Sequence, residues 1–85
     1  MEITAYTLLG CSHCQTLREL FKRAGTEYTE IMVKRDITTD EFHELYSDVN
    51  SFPFVVIDEE RVGDLVATVK LFVAKGLVSS SKKSG

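Results

Sequence analysis

Glu2-Ile3-Thr4-Ala5-Tyr6-Thr7-Leu8 runs through Leu9-Gly10 into Cys11-Ser12-His13-Cys14, and this stretch decides the fold. Ile3 and Ala5 alternate with Glu2 and Thr4 in a segment rich in β-branched and aromatic residues, which predicts a strand over Glu2–Leu8. From Ser12 the period changes. Leu17, Leu20, Phe21 and Ala24 fall on one helical face, and Gly25 supplies a stop. The chain's only two cysteines therefore sit where a strand hands over to a helix.

Working outward, Tyr28, Thr29, Ile31 and Val33 predict a second strand over Glu27–Val33, parallel to the first by the βαβ rule with a right-handed crossover. Thr38-Thr39-Asp40-Glu41 matches a capping box, and Phe42, Leu45, Tyr46 and Val49 share one face of a second helix over roughly Thr39–Asp48. Phe54-Val55-Val56-Ile57, the polar turn Asp58-Glu59-Glu60, and Arg61-Val62 predict an antiparallel hairpin. Gly63 breaks that pattern. Asp64 caps a third helix with Leu65, Val69, Phe72 and Val73 as its buried face and Gly76 closing it. Residues 77–85 read as a polar, low-complexity tail, so residues 1–76 form the one expected domain.

Composition narrows the function classes. A chain of 85 residues with 44% hydrophobic content has room for one small core. The net charge of −3, with both signs interspersed, shows neither a nucleic-acid stripe nor a polybasic membrane face. Met1-Glu2-Ile3-Thr4 lacks a signal-peptide layout and no apolar run is long enough to span a membrane, so a cytoplasmic protein is expected, in the host cytoplasm if phage-encoded.

A disulfide closing so short a gap adds little chain-entropy stabilisation, so chemistry is the better reading of the cysteines. The unpaired N–H groups and positive end of a helix favour a thiolate at the first cysteine, and the second lies one turn away within disulfide reach. Ser12 is expected to cap the helix start and to contact a thiolate or substrate sulfur. His13 is read either as an exposed residue or as a group that stabilises the Cys11 thiolate. A metal site on the pair is the competing reading, but it needs further ligands such as His13 or His43, and no second Cys/His pair exists. Phe52 precedes Pro53, which biases it to an extended conformation whose N–H and C=O can pair with a peptide.

Strand, C-x-x-C, helix, strand, helix, a proline-led hairpin, glycine and a last helix resemble the glutaredoxin branch of the thioredoxin fold. The resemblance covers roughly Met1–Gly76 and is nearest to the short dithiol glutaredoxins of bacteria and phages. It implies an α/β fold, β-α-β-α-β-β-α, with a four-stranded mixed sheet flanked by three helices. It further implies Cys11 as nucleophile and Cys14 as resolving thiol of a dithiol–disulfide oxidoreductase, and a cis proline in Ser51-Phe52-Pro53 facing the cysteines. Tyr6, Phe52, Pro53, Gly63 and Asp64 become the expected glutathione- and substrate-binding residues. Glutathione is the implied co-substrate, with no tightly bound cofactor or metal. The implied partners are disulfide-containing clients, ribonucleotide reductase among them, met by a monomer that binds neither nucleic acid nor membrane.

Three departures from the family pattern stand out. Leu8-Leu9-Gly10 replaces the basic residue common just before the motif, Gly63-Asp64 replaces a Gly-Gly turn, and His13 replaces an aromatic residue. The first two keep a redoxin served by thioredoxin reductase in play as an alternative, beside an iron–sulfur or metal-binding module. Disulfide oxidases of this fold also carry His at the third motif position. The disulfide is accordingly expected to have a potential at or above roughly −200 to −230 mV, rather than near −270 mV. Replacing His13 with Val should make it more negative on redox titration.

Overall fold

The computed structural model describes residues 1–78, and its central element is β1 (Ile3–Thr7). Its neighbours are β2 (Thr29–Met32), parallel to it with Thr4 opposite Thr29, and β3 (Phe54–Ile57), antiparallel with Ile3 opposite Ile57. The last strand, β4 (Glu60–Gly63), pairs antiparallel with β3, giving the order β2-β1-β3-β4. This is the expected mixed four-stranded sheet, joined by α1 (Ser12–Ala24), α2 (Thr39–Leu45) and α3 (Leu65–Ala74).

Successive side chains of a strand point to opposite faces, and each face is covered. Ile3 and Ala5 of β1 join Val55 and Ile57 of β3 in a cluster with Leu17 and Phe21 of α1 and Phe72 of α3. Tyr6 and Phe54 turn the other way, into a second cluster with Val33, Phe42 of α2, and Val49. Hence β1 is buried through Ala5, Tyr6 and Thr7 without a break, as a central strand covered on both faces must be.

Local rules place most of the element ends. Gly25 adopts φ 65°, the left-handed conformation that lets its N–H reach Lys22 O at 3.1 Å and the next N–H reach Phe21 O at 3.0 Å. The capping box forms as expected: Glu41 N–H donates to Thr38 Oγ1 at 3.0 Å and Thr38 N–H to Glu41 Oε1 at 2.8 Å.

Elsewhere the structure corrects the sequence reading. The second helix ends at Leu45 instead of near Asp48, because Tyr46 leaves the helical region to pack against Tyr6 and Phe54 at ring-centroid distances of 5.5 and 4.9 Å. Leu45 consequently faces solvent, and Val49 enters the core from the turn that follows. In α3 the buried residues are Thr68 and Phe72, whereas Val69 is exposed. A threonine is tolerated there because its hydroxyl donates to Asp64 O at 2.8 Å. The hairpin turn is Asp58-Glu59 alone, at φ 51° and 69°, so Glu60 already belongs to β4. Leu77 and Val78 pack against the first cluster, with Leu77 N–H on Phe72 O at 2.9 Å, so packing continues past residue 76. The rest of the expected tail lies outside the described residues.

Two ion pairs tie the edges of the sheet. Arg61 of β4 donates to Asp48 at 2.7 Å and lies over the rings of Tyr46 and Phe54, 5.7 and 5.4 Å from their centroids. Arg18 of α1 grips Glu30 of β2 at 2.7–3.1 Å, and Thr7 Oγ1 donates to the same carboxylate at 2.6 Å. Pairing with Arg18 holds the Glu30 carboxyl below its ordinary range, against a smaller opposing effect of burial. A lowered carboxyl stabilises the folded state above the unfolded pKa, and that contribution disappears as pH falls through the folded value. Glu30→Gln is therefore expected to cost about 1 kcal/mol near neutrality, discounted for partial exposure. Urea titrations should show the difference from wild type shrinking steadily below about pH 4.

Candidate active site

Cys11 is the N-cap of α1. Its backbone is extended (φ −89°, ψ 113°), and its Sγ accepts the Cys14 N–H at 3.1 Å. A sulfur in this position takes the place of the side-chain oxygen that ordinarily satisfies a free donor at a helix start. This corrects the expectation for Ser12, which is an exposed first residue of the helix and not its cap. The first turn carries no acidic side chain, so nothing there opposes negative charge on Cys11.

The two sulfurs live in different surroundings. Cys11 is half-buried and its Sγ donates to Phe52 O at 3.8 Å, whereas Cys14 is fully buried. Burial, followed by the hydrogen bond with Cys11, pushes the Cys14 thiol up to about 12; a backbone hydrogen bond from Leu8 and the charge of Arg18 pull more weakly the other way. Both cysteines are free thiols. At neutral pH Cys14 keeps its proton, which leaves Cys11 as the sulfur able to attack from the surface.

Phe52 and Pro53 come to this sulfur from the chain between α2 and β3. The Phe52–Pro53 bond is cis, as the resemblance implied, and Pro53 is buried. Phe52 is half-buried, its ring 5.0 Å from that of Phe42, so it is a platform braced by the second core cluster. The Phe52 carbonyl accepts the Cys11 thiol, which ties this segment to the nucleophile's loop.

A cleft of about 200 Å³ gathers His13, Ser51, Phe52, Pro53, Asp64 and the start of α3. Asp64 caps α3 by accepting the Ala67 N–H at 3.0 Å on Oδ1, and Oδ2 has no hydrogen-bond partner among the described residues. Gly63 adopts φ 122°, and a Cβ there would stand 3.3 Å from Ala67 Cβ, so its freedom serves a close approach of strand and helix. Together with Pro53 and Asp64 it lines a neighbouring cleft of about 360 Å³.

Tyr6 does not join them. It is 7% exposed, with its ring 5.2 Å from that of Phe42, and burial followed by a hydrogen bond with Tyr46 pushes its phenol up to about 12. Tyr6 is thus a core residue behind the site and no contact surface for a ligand, because its place in the central strand turns it into the second cluster.

Gln15, Arg18 and Met32 had no functional reading in the sequence, yet with Cys11 they line a cleft of about 240 Å³. Arg18 was within reach of helical periodicity, being four residues after Cys14 on the same face. Met32 comes from β2 and carried no such signal. Among the described residues no group of three or more His, Cys, Asp or Glu side chains is arranged to hold a metal ion.

A half-exposed thiol capping a helix, a buried partner one turn behind it and a cis proline beside them define a dithiol redox domain of the thioredoxin fold. Comparison with known proteins makes the class specific. The glutaredoxin family model matches residues 3–62, so the chain belongs to the glutaredoxin family and is a thiol–disulfide oxidoreductase. Glutaredoxin from Brucella melitensis is 28% identical, with 99% of this chain and 95% of that one covered at a TM-score of 0.66. Glutaredoxin 1 from Francisella tularensis, solved in complex with cacodylate, shares the fold at a TM-score of 0.70 and 19% identity, covering 89% of this chain and 95% of that one. The buckwheat glutaredoxin–glutathione complex does so at 0.71 and 16%, covering 88% and 71%. A search of curated proteins finds no match.

Proposed function

We propose that this glutaredoxin reduces protein disulfides and glutathione mixed disulfides, drawing its electrons from glutathione. The observation that carries the reading is the inequality of the two sulfurs: Cys11 caps the helix at the surface, and Cys14 is buried and protonated behind it.

The Cys11 thiolate attacks one sulfur of the client disulfide. A Cys11–client S–S bond forms, the client's own S–S bond breaks, and its other sulfur leaves as a thiolate that takes a proton. Cys14 then gives up its proton and attacks Cys11 Sγ, forming the Cys11–Cys14 disulfide and releasing the second client thiol. Two electrons have passed to the client. One glutathione thiolate attacks Cys11 and frees Cys14; a second attacks the glutathione sulfur of that mixed disulfide, releasing the Cys11 thiolate and glutathione disulfide. His13, Phe52, Pro53, Gly63 and Asp64 receive the glutathione moiety, the Asp64 carboxylate facing its ammonium group. The glutathione complex of the buckwheat protein supports this choice of co-substrate. Ribonucleotide reductase is a candidate client.

The test is turnover of a glutathionylated substrate with either glutathione and its reductase or thioredoxin reductase as the source of electrons. Turnover in the first arm is expected. Turnover only in the second would replace this reading with a redoxin served by thioredoxin reductase, which the absence of a basic residue from Leu8-Leu9-Gly10 would then explain.

A further inference from the structure

The cleft at Cys11 does not end at the cysteine loop. Leu9 and Met32 line both it and a larger hollow of about 500 Å³ whose other walls are Leu8, Val33, Lys34 and Arg35. Sharing these two walls, the clefts adjoin as one trough: Cys11 lines the first, with Ser12, Gln15 and the Glu30-paired Arg18, and the second is apolar apart from the cations Lys34 and Arg35.

Leu9 is 87% exposed, immediately before Gly10 and the nucleophile. One exposed leucine is ordinary; one that forms the wall between a reactive thiol and an apolar hollow is placed to meet whatever the thiol attacks. The two cations differ. Arg35 is spent on Asp36, at 2.9 and 3.0 Å, and that carboxylate also accepts the Met32 N–H. Lys34 stands at φ 78° on the tight turn after β2, and among the described residues no carboxylate pairs with its ammonium. A positive rim on a chain of net charge −3 is a local feature.

We propose that this trough docks the client polypeptide, taking an apolar side chain near the client's disulfide on Leu8, Leu9 and Met32 and an acidic side chain further along at Lys34. The proposal rests on Cys11 attacking client disulfides and adds which clients are preferred. Glutathione offers a carboxylate for Lys34 but no large apolar side chain for Leu8, Leu9 and Met32, so it matches only part of the trough. A polypeptide offers both an apolar side chain and a charge at the spacing of a few residues. Contacts of this kind act on client affinity and encounter and leave the sulfur chemistry unchanged.

The experiment measures kcat/KM on disulfide peptides that share a leucine beside the cysteine and differ in a following Glu or Lys, with wild type, Lys34→Glu and Leu9→Ser. Lys34→Glu leaves the side-chain volume at the turn similar, and circular dichroism checks that each variant is folded. Wild type is expected to prefer the Glu peptide by about ten-fold, a difference of one well-placed charge pair. Lys34→Glu should reverse that order. Leu9→Ser should raise KM several-fold for both peptides and not for counterparts with Ser in place of Leu. An unchanged order in Lys34→Glu, or equal losses on Leu and Ser peptides in Leu9→Ser, overturns the proposal. So does a wild-type dimer in sedimentation that Leu9→Ser dissolves, since a second copy would then occupy the trough. If no peptide and no small disulfide is reduced at all, the reading of Cys11 as nucleophile fails first.

Discussion

Serine at position 11 is expected to reduce turnover of protein disulfides and glutathione mixed disulfides to the uncatalysed background, because the one thiol reachable from solvent is gone. Cys14 cannot substitute: it is fully buried and its thiol is pushed up to about 12. Cys14→Ser should behave differently. It retains the attacking sulfur but not the resolving one, so it should accumulate a client or glutathionyl adduct on Cys11, seen in intact-protein mass spectra. Reduction of glutathione mixed disulfides should persist, since a free glutathione can take the place of Cys14. The two variants also separate by pH. In wild type the resolving step needs the Cys14 thiolate, whose fraction grows about tenfold per pH unit below the pKa. Once Cys11 is in a mixed disulfide its own charge no longer opposes ionisation of Cys14, but burial, the largest cause of the raised value, remains. Single-turnover resolution should accordingly climb from neutral into alkaline pH in wild type and be absent from Cys14→Ser. Full activity in the Cys11 variant would reverse the assignment.

The second large effect is expected at Phe42. This residue is fully buried, and its ring meets Tyr6, Tyr46, Phe52 and Phe54 at centroid distances of 5.2, 5.7, 5.0 and 6.3 Å. Phe42→Ala removes the shared partner of the second cluster and leaves a void that rigid neighbours fill poorly, at a cost of about 3–5 kcal/mol. For a domain of this size that is a large part of the whole stability, roughly 5–15 kcal/mol. A urea titration should show the loss directly. Phe42→Leu, which fills more of the volume, should be milder and remain folded enough to assay. In that variant the Phe52 ring loses its brace, and because the Phe52 carbonyl accepts from the protonated Cys11 thiol and not from the thiolate, client binding at Phe52 should fall further than the attack rate of Cys11 does.

What could be read from the chain was whatever follows from neighbouring residues. Gly25, the Thr38–Glu41 box and Asp64 end or begin helices through hydrogen bonds a few residues long, and each did so where the sequence placed it. The Cys11–Cys14 pair at a strand–helix junction was legible for the same reason. The misreadings arise where distant groups decide. Tyr46 breaks the second helix because rings from β1 and β3 hold it. Thr68 is buried and Val69 exposed because α3 is apolar almost all round, leaving periodicity no face to choose. Ser12 was expected to cap α1 because hydroxyls usually do, and the thiol of Cys11 takes that bond first. The trough walls, Leu9, Met32 and Lys34, become neighbours only when β2 is laid beside β1.

Arg61 shows how far from the sulfur the site's geometry is anchored. Residues 46–53 contain no helix or strand, yet they deliver Phe52 to the thiol, and the guanidinium of the outermost strand holds Asp48 and covers Tyr46 at the head of that stretch. The stretch is moored to the sheet margin opposite the trough side, so a substitution there reaches the thiol through slack in the intervening chain. A surface arginine on the far strand thereby sets where the Phe52 carbonyl stands beside the thiol.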